Sequence, residues 1–137
     1  ILARKGGDVV SIDGNSSVAE AVGLLAEKRI GAVPVVDNGG VAGVFSERDV
    51  IYCLRSDGAE MLGWPVAQVM TAPAITVTRD VSVLAAMSQM TQRRIRHLPV
   101  VEDGRLIGIV SIGDLVKFRI DRIEEEAEAL RTYITQV

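Results

Sequence analysis

Two aspartates end the same short motif, Gly-x-x-Ser-x-x-Asp, which closes first at Asp49 and again at Asp114. A carboxylate accepts hydrogen bonds and donates none, so it can take both hydroxyls of a ribose diol. Each aspartate also falls in the first turn of a predicted helix, where the helix dipole favours negative charge. The motif therefore predicts ribose binding, with helix stabilisation as the alternative.

The serine and the glycine of the motif suit the same ligand. Ser46 and Ser111 stand just before the predicted helices, where a serine caps free backbone N–H groups. A helix start beside a hydroxyl also favours a phosphate, so the two roles are compatible. Gly43 and Gly108 either let a nucleotide approach the backbone or relieve crowding in a strand.

Positive charge distinguishes the two copies. Arg48 stands inside the first motif, whereas the second motif has Gly113 at that position. The segment "RIRHLP" places Arg96 and His97 where the earlier "RIGAVP" has no charge. Arginine offers a planar, permanently charged fork that suits a phosphate. His97 reports pH, hydrogen-bonds the same anion or is a structural residue.

The composition is that of an ordinary folded domain. Of the 137 residues 48% are hydrophobic, and no apolar run approaches the roughly 20 residues that cross a bilayer. Cys53 is the one cysteine, expected as a small buried side chain, with redox sensing as the alternative. We expect a soluble, cytoplasmic protein.

The charge pattern argues against large anionic partners. Most of the net charge of −3 comes from an acidic C-terminal tail, and the remaining chain is nearly balanced. Such a surface has no extended positive field for nucleic acid or a membrane. With one histidine, one cysteine and no phosphate-binding loop or zinc-ligand spacing, we also expect no catalytic activity and no metal.

The motif recurs because the chain contains an internal repeat. Shifting the sequence by 65 residues aligns 10–54 with 75–119 without a gap, and 12 of the 45 aligned positions are identical. Each copy reads as a short strand, a serine-led helix, two strands around Asn-Gly or Asp-Gly, and a second helix. The fold class predicted is α/β (α+β), with two β-α-β-β-α units packed about a pseudo-twofold axis.

This pattern divides the chain into three parts. We expect a first repeat with its connecting segment over 1–68, a second repeat over 69–119 and a C-terminal amphipathic helix over 120–137. The helix has one apolar face, which either docks on the body or forms a dimer contact. The members of that face are Ile120, Ile123, Ala127, Leu130 and Ile134.

Four features of the chain can be compared with a known family. They are the order of elements, the repeated motif, the proline in "AVPVV" and "HLPVV", and the run "VMTAPAITV". Together they resemble a tandem pair of cystathionine-β-synthase (CBS) domains. The segments "SERD", "RIRHLPVV" and "SIGDLVK" are similar to small bacterial proteins that consist of one such pair. The resemblance implies a regulatory Bateman module that binds AMP, ADP, ATP, S-adenosylmethionine or NAD(H) between its repeats. It also implies a homodimer and a regulated partner protein.

The resemblance further implies two sites, each shared between the repeats, with Thr71 as a lesser candidate. The first combines Ser46, Arg48 and Asp49 with Ile75, Ile95, Arg96 and His97. The second combines Ser111 and Asp114 with Val10, Ile30 and Gly31. We expect the first to hold phosphate better because it carries more positive charge. Ile30, Ile95 and Val33 either sandwich the adenine or belong to the core.

The sequence-based hypothesis is an adenine-nucleotide sensor, with AMP as the leading ligand, that signals to a partner protein. The alternatives are a ligand-free dimerisation module and the regulatory part of a larger enzyme or transporter.

Overall fold

The computed structural model describes residues 9–135. Residues 1–8 of the predicted first repeat and 136–137 of the predicted C-terminal helix lie outside the described residues. The described elements follow the predicted order. They are β1 Ile12–Asp13, α1 Val18–Lys28, β2 Ala32–Asp37, β3 Gly40–Ser46, α2 Glu47–Asp57, a 3₁₀ helix Gly58–Gly63, α3 Val66–Val69, α4 Val83–Arg93, β4 His97–Glu102, β5 Arg105–Ser111 and α5 Ile112–Thr135.

The first repeat forms a three-stranded sheet covered by α1. The hydroxyl of Ser17 caps α1 by accepting from the backbone N–H of Glu20. Strand β1 pairs parallel with β2, and β2 pairs antiparallel with β3. The hairpin turn holds Asn38 and Gly39 at φ 51° and 82°, the left-handed values that an Asn-Gly turn of this kind requires.

The second repeat reproduces this hairpin in the same register. Strands β4 and β5 pair from His97 with Ser111 to Glu102 with Arg105, and each pair has its counterpart 65 residues earlier. Asp103 and Gly104 make the turn with φ 52° and 78°. The predicted β-α-β-β-α duplication and the mixed α+β class are therefore confirmed.

One predicted strand of the second repeat is almost absent. The segment "AITV" reduces to a single parallel bridge between Val77 and Val100. The hydroxyl of Thr78 donates to the carboxylate of Asp80 directly after this bridge. The segment pairs with β4 through the backbone bonds of Val77 to Pro99 and Val101.

The linker between the repeats covers the first core. Met61 of the 3₁₀ helix and Val66 of α3 are fully buried against it. The backbone N–H of Val18 donates to the carbonyl of Trp64 at 2.8 Å, which ties the linker to the start of α1. A second core lies under α4, and β3 contacts β5 where the two repeats meet.

Helix α5 differs from the prediction at the C-terminal end. It runs without a break through residues 119 and 120, so the second repeat and the predicted tail share one helix. The predicted docking of the tail's apolar face on the body is wrong for the described residues, because Ile120 and Ile123 are each 49% exposed and Leu130 is 60% exposed. The apolar face of the tail therefore lies on an unbroken helix with its large side chains exposed. The domain limits themselves stay predictions.

None of the helices between residues 9 and 135 combines the length and apolarity that a bilayer crossing requires.

Gly43 in β3 is explained by packing within the fold. A Cβ at this position would lie 2.6 Å from the carbonyl oxygen of Thr71 and 2.7 Å from the Sδ of Met70. Both contacts are too short for any side chain, so the glycine lets the linker lie against β3. Relief of crowding is therefore the role of Gly43 in the described fold.

Replacing Gly43 by alanine should lower the free energy of unfolding by about 1–3 kcal/mol, because the linker must move away from β3. Urea unfolding measures the change. Gly40→Ala in the same strand is the matched control, since its nearest atom, the carbonyl oxygen of Asp37, lies 3.8 Å from the new Cβ. Equal effects of the two substitutions would contradict this packing role.

Candidate functional site

A cleft of about 330 Å³ opens between the two repeats. Three parts of the chain line it, namely the end of the first repeat, the linker and the start of β4. Its lining comprises Gly31, Ala32, Val44, Ser46, Glu47, Arg48, Asp49, Tyr52, Thr71, Pro73, Ala74, Ile75, Arg93, Arg94, Ile95, Arg96 and His97.

Asp49 is held at the first turn of α2 by a reciprocal cap. Its Oδ2 accepts from the backbone N–H of Ser46 at 2.9 Å and from the Ser46 hydroxyl at 3.2 Å. The Ser46 Oγ in turn accepts from the backbone N–H of Asp49 at 3.4 Å. This capping box fixes the rotamer of Asp49 and stabilises the start of the helix, so the helix role predicted as the alternative is real.

Thr71 approaches the same carboxylate from the linker. Its hydroxyl donates to Asp49 Oδ1 at 2.8 Å, and its backbone pairs with Val44 of β3 through bonds of 3.0 and 2.9 Å. A carboxylate has roughly four acceptor positions, and the bonds from Ser46 and Thr71 use three. Asp49 Oδ1 therefore retains acceptor capacity, and Thr71 Oγ1 is an acceptor beside it.

Arg48 connects the two repeats across the cleft. Its Nη1 donates to the carbonyl oxygen of Arg94 at 2.9 Å. Arg94 ends α4 in the left-handed conformation, with φ 55°, which leaves its carbonyl available to a side chain. The helix that carries Asp49 is thereby joined to the basic segment before β4.

The lining is electropositive on balance. Arg48, Arg93, Arg94 and Arg96 face two acids, Glu47 and Asp49. Arginine stays protonated at all ordinary pH values, so the positive charge of the cleft persists. This arrangement favours an anion between α2 and the start of β4.

The apolar part of the lining comes from Ile75 and Ile95. Both are half-buried and pack against the second core while they also face the cleft. Core packing and lining are therefore combined in these two residues. Val33 is fully buried, which excludes it as an adenine contact, and Ile30 packs against the first core.

The structure brings together every residue predicted for the first site, and Thr71 with them. Gly31, predicted for the second site, lines this first cleft instead. A Cβ at Gly31 would lie 3.5 Å from Cε1 of His97 and 3.6 Å from Oε1 of Glu47. Ligand binding by these residues stays a prediction, since the geometry alone describes their proximity.

The second predicted site has the same capping geometry at its aspartate. The backbone N–H of Ser111 donates to Asp114 Oδ2 at 2.8 Å, and that of Asp114 donates to Ser111 Oγ at 3.1 Å. Val10 and Ile30 pack against the first core. This site stays a prediction.

Sequence reasoning missed several lining residues. Tyr52 lies three residues after Asp49 in α2, so helical spacing could have placed it on the same face. Arg94 opens the segment "RIRHLP" and Arg93 precedes it, and the turn after α4 brings both to the cleft. Nothing in the sequence around Glu47 and Pro73 indicated that these residues line the cleft.

Among the described residues, no group of three or more His, Cys, Asp or Glu side chains is placed to hold a metal ion.

The sequence matches the CBS domain family twice, over residues 3–56 and 66–121. It is 38% identical over 125 residues to the mitochondrial CBS domain-containing protein CBSX3 of Arabidopsis thaliana, covering 88% of this chain and 61% of that protein. It is 33% identical over 107 residues to YhcV of Bacillus subtilis, covering 78% of this chain and 76% of that protein. The chain thus spans less than two thirds of the Arabidopsis relative.

Solved structures share the fold. A CBS-domain containing protein from Agrobacterium tumefaciens is 44% identical with a TM-score of 0.81, over 86% of this chain and 94% of that one. CBSX2, solved in complex with AMP, is 29% identical with a TM-score of 0.72, over 82% and 88%. The domain pair of MJ0100, solved with 5′-methylthioadenosine and S-adenosyl-L-methionine, is 25% identical with a TM-score of 0.76, over 85% and 92%.

Cys53 lies one turn along α2 from Asp49, outside the cleft lining. Its Sγ donates to Oδ2 of Asp57 at 3.6 Å. Partial desolvation, this hydrogen bond and the negative charges of Asp57 and Asp49 together raise the pKa of the thiol above its usual value. A thiol with a raised pKa is a poor nucleophile at neutral pH.

Cys53 should therefore react more slowly with iodoacetamide at pH 8 than a free cysteine does. Asp57→Asn removes the main charged partner, so it should lower the pKa and speed the reaction, as followed by mass spectrometry over pH 7–10. Glu102→Gln, in the distant hairpin, serves as the control. The account fails if Asp57→Asn leaves the rate unchanged.

Proposed function

The chain belongs to the CBS domain family, whose tandem pairs are regulatory ligand-binding modules and not enzymes, and we propose that it binds an adenine nucleotide, AMP first, in the cleft between its repeats. One observation carries this proposal. A fixed carboxylate, an arginine cluster and two isoleucine side chains line the same cleft of mononucleotide size.

The ribose would bind at Asp49. Its Oδ1 still has acceptor capacity beside the Thr71 hydroxyl, so one ribose hydroxyl can donate to Asp49 and the other to Thr71 Oγ1. The cap from Ser46 holds the carboxylate in place before the ligand arrives, so less side-chain entropy is lost on binding.

The adenine would lie against Ile75 and Ile95, and the phosphate against Arg48 and Arg96 with His97 beside them. The isoleucines supply apolar surface that a base can cover without losing polar contacts. The arginines offer charge-assisted bonds to phosphate oxygens. A cleft near the lower end of the usual range of ligand-pocket volumes suits a mononucleotide better than a dinucleotide such as NAD(H).

Charge separates the candidate ligands further. AMP, ADP and ATP are anions, whereas S-adenosylmethionine carries a sulfonium cation and methylthioadenosine has no phosphate. The arginine-rich lining favours the nucleotides. The relatives solved with AMP and with 5′-methylthioadenosine and S-adenosyl-L-methionine support an adenosine compound in general.

Signalling would arise because the ligand touches both repeats. Arg48 already joins α2 to the end of α4, and a phosphate held by Arg48 and Arg96 would change the balance of forces across this junction. The resulting shift in repeat orientation can be no larger than the ligand's differential affinity for the two orientations. A partner protein would respond to that shift, and the cytoplasmic location stays a prediction.

A ligand-free dimerisation module is the second candidate. The exposed apolar surface of α2 favours it, where Ile51 is 63% and Tyr52 65% exposed. Large exposed apolar side chains in a row indicate a contact surface. We propose that the nucleotide-binding module is a homodimer as well, so dimerisation does not distinguish the two candidate functions. Nucleotide binding does distinguish them.

Asp49→Asn should weaken AMP binding at least about tenfold, because the amide loses the charge that strengthens hydrogen bonds from ribose. Isothermal titration calorimetry measures the affinity. Asp37→Asn is the control for the loss of one negative charge, since Asp37 is exposed in the first hairpin and does not line the cleft. No heat with AMP, ADP, ATP or NAD(H) on the unaltered protein would refute the proposal.

Arg96→Gln should weaken AMP binding about tenfold or more and leave adenosine binding nearly unchanged, because the guanidinium acts on the phosphate alone. The comparison of both ligands by calorimetry isolates the phosphate contact. Arg105→Gln, on the exposed start of β5, controls for the loss of one positive charge. Equal losses for AMP and adenosine would mean that Arg96 does not contact phosphate.

A further inference from the structure

Helix α5 carries a long exposed apolar stripe along one face. Its members recur at alternating spacings of four and three residues, and the structure leaves all but the small Ala127 well exposed. They are Val116, Ile120, Ile123, Ala127, Leu130 and Ile134. No other element in the described part of the chain covers this stripe.

The stripe is distinct from the face that docks α5 on the second repeat. Leu115 is buried, and Leu115 and Phe118 line a cavity beside Ala86 of α4. At about 100° per residue the stripe lies about a third of a turn away from that docking face. The helix can therefore hold its own repeat with one face and a partner with the other.

The spacing identifies the kind of partner. Apolar residues at an average separation of 3.5 residues form the seam of a coiled coil, in which Ile120, Ala127 and Ile134 occupy a positions. Val116, Ile123 and Leu130 occupy the d positions. We propose that this stripe is the seam of a parallel, two-stranded coiled coil with α5 of a second copy of the chain.

Charged residues beside the seam favour a second copy in parallel orientation. In a parallel pair each g residue meets the following e residue of the partner. Arg119 then meets a partner's glutamate at position 124, and Glu126 meets a partner's arginine at position 131. Both contacts join opposite charges, so the helix is complementary to itself.

The antiparallel arrangement is disfavoured by the same residues. With the apolar layers aligned, Glu126 would face its own counterpart and Glu124 would face its own counterpart. Like charges held in such contact destabilise a pair. The bond between Arg131 and Glu128 at 3.4 Å joins side chains that are 75% and 72% exposed, so it contributes little and leaves Arg131 available to a partner.

A membrane surface fits the stripe less well. The flanks and outer face of α5 carry Glu124, Glu125, Glu126 and Glu128, which anionic lipid headgroups repel. A helix that lies on a membrane normally carries lysine and arginine there. The flanks of the seam carry both signs, with Arg119 and Arg131 beside Glu124 and Glu126, and this mixed charge supports a protein seam.

Sedimentation equilibrium of the full chain tests the seam. The unaltered protein should form a dimer, and Ile123→Asp should raise the dimer dissociation constant more than about a hundredfold, because it places a charge in the apolar seam. Thr132→Asp adds the same charge on the outer face of α5 and should leave the dimer unchanged. Far-UV circular dichroism and AMP titration of each variant separate this outcome from any failure of folding or of the nucleotide proposal.

Crosslinking tests the orientation. Ala127→Cys in a Cys53→Ser background should form a disulfide-linked dimer on mild oxidation, since a parallel pair brings the two a positions of one layer face to face. Glu126→Arg should weaken the dimer, and Glu126→Arg with Arg131→Glu should restore it.

A monomer, a trimer or an Ile123→Asp variant that still dimerises would overturn the proposal. So would binding of the unaltered chain to phosphatidylserine vesicles that competes with self-association. An Ala127→Cys protein that does not crosslink, with the dimer otherwise intact, would overturn the parallel orientation.

Discussion

The cleft depends on one carboxylate that is bonded from two sides. Asp49 accepts from Ser46 at the start of α2 and from Thr71 in the linker, so the helix, strand β3 and the linker meet at a single side chain. Gly43 makes this meeting possible, because any Cβ there would push the linker away from β3. The same bonds leave Asp49 Oδ1 with acceptor capacity in a residue that lines the cleft. Fold stability and ligand capacity thus rest on one residue.

The duplication explains the symmetry of the fold, and the differences between the two copies explain the unequal distribution of positive charge. Both aspartates keep the same capping geometry, yet two of the four arginines that line the described cleft, Arg48 and Arg96, have no charged counterpart in the other copy. The second copy has Gly113 in place of Arg48, and the first has Gly31 in place of Arg96. The two halves therefore kept the structural role of the aspartate while positive charge became concentrated at one cleft. A ligand with one phosphate group fits a protein in which one cleft carries most of this positive charge.

Much of the fold could be predicted from the repeat, because shared spacing imposes shared register on both hairpins. The lining of the first cleft followed from the resemblance, since short motifs fix which residues face it. Gly31 was assigned to the other site because its place depends on how the repeats pack, which no local pattern encodes. Tyr52 was missed although helical spacing puts it on the same face as Asp49. The segment "AITV" pairs with β4 through Val77 alone among its residues, and the apolar face of α5 stays exposed on one unbroken helix, and the repeat pattern indicates neither.

The most direct measurement is a crystal structure of the protein with AMP. The account predicts electron density for one nucleotide between the repeats, with the ribose on Asp49 and Thr71, the base between Ile75 and Ile95, and the phosphate on Arg48 and Arg96. A nucleotide bound only at Asp114, or one whose ribose does not contact Asp49, would contradict it. So would a cleft that stays free of nucleotide at saturating AMP.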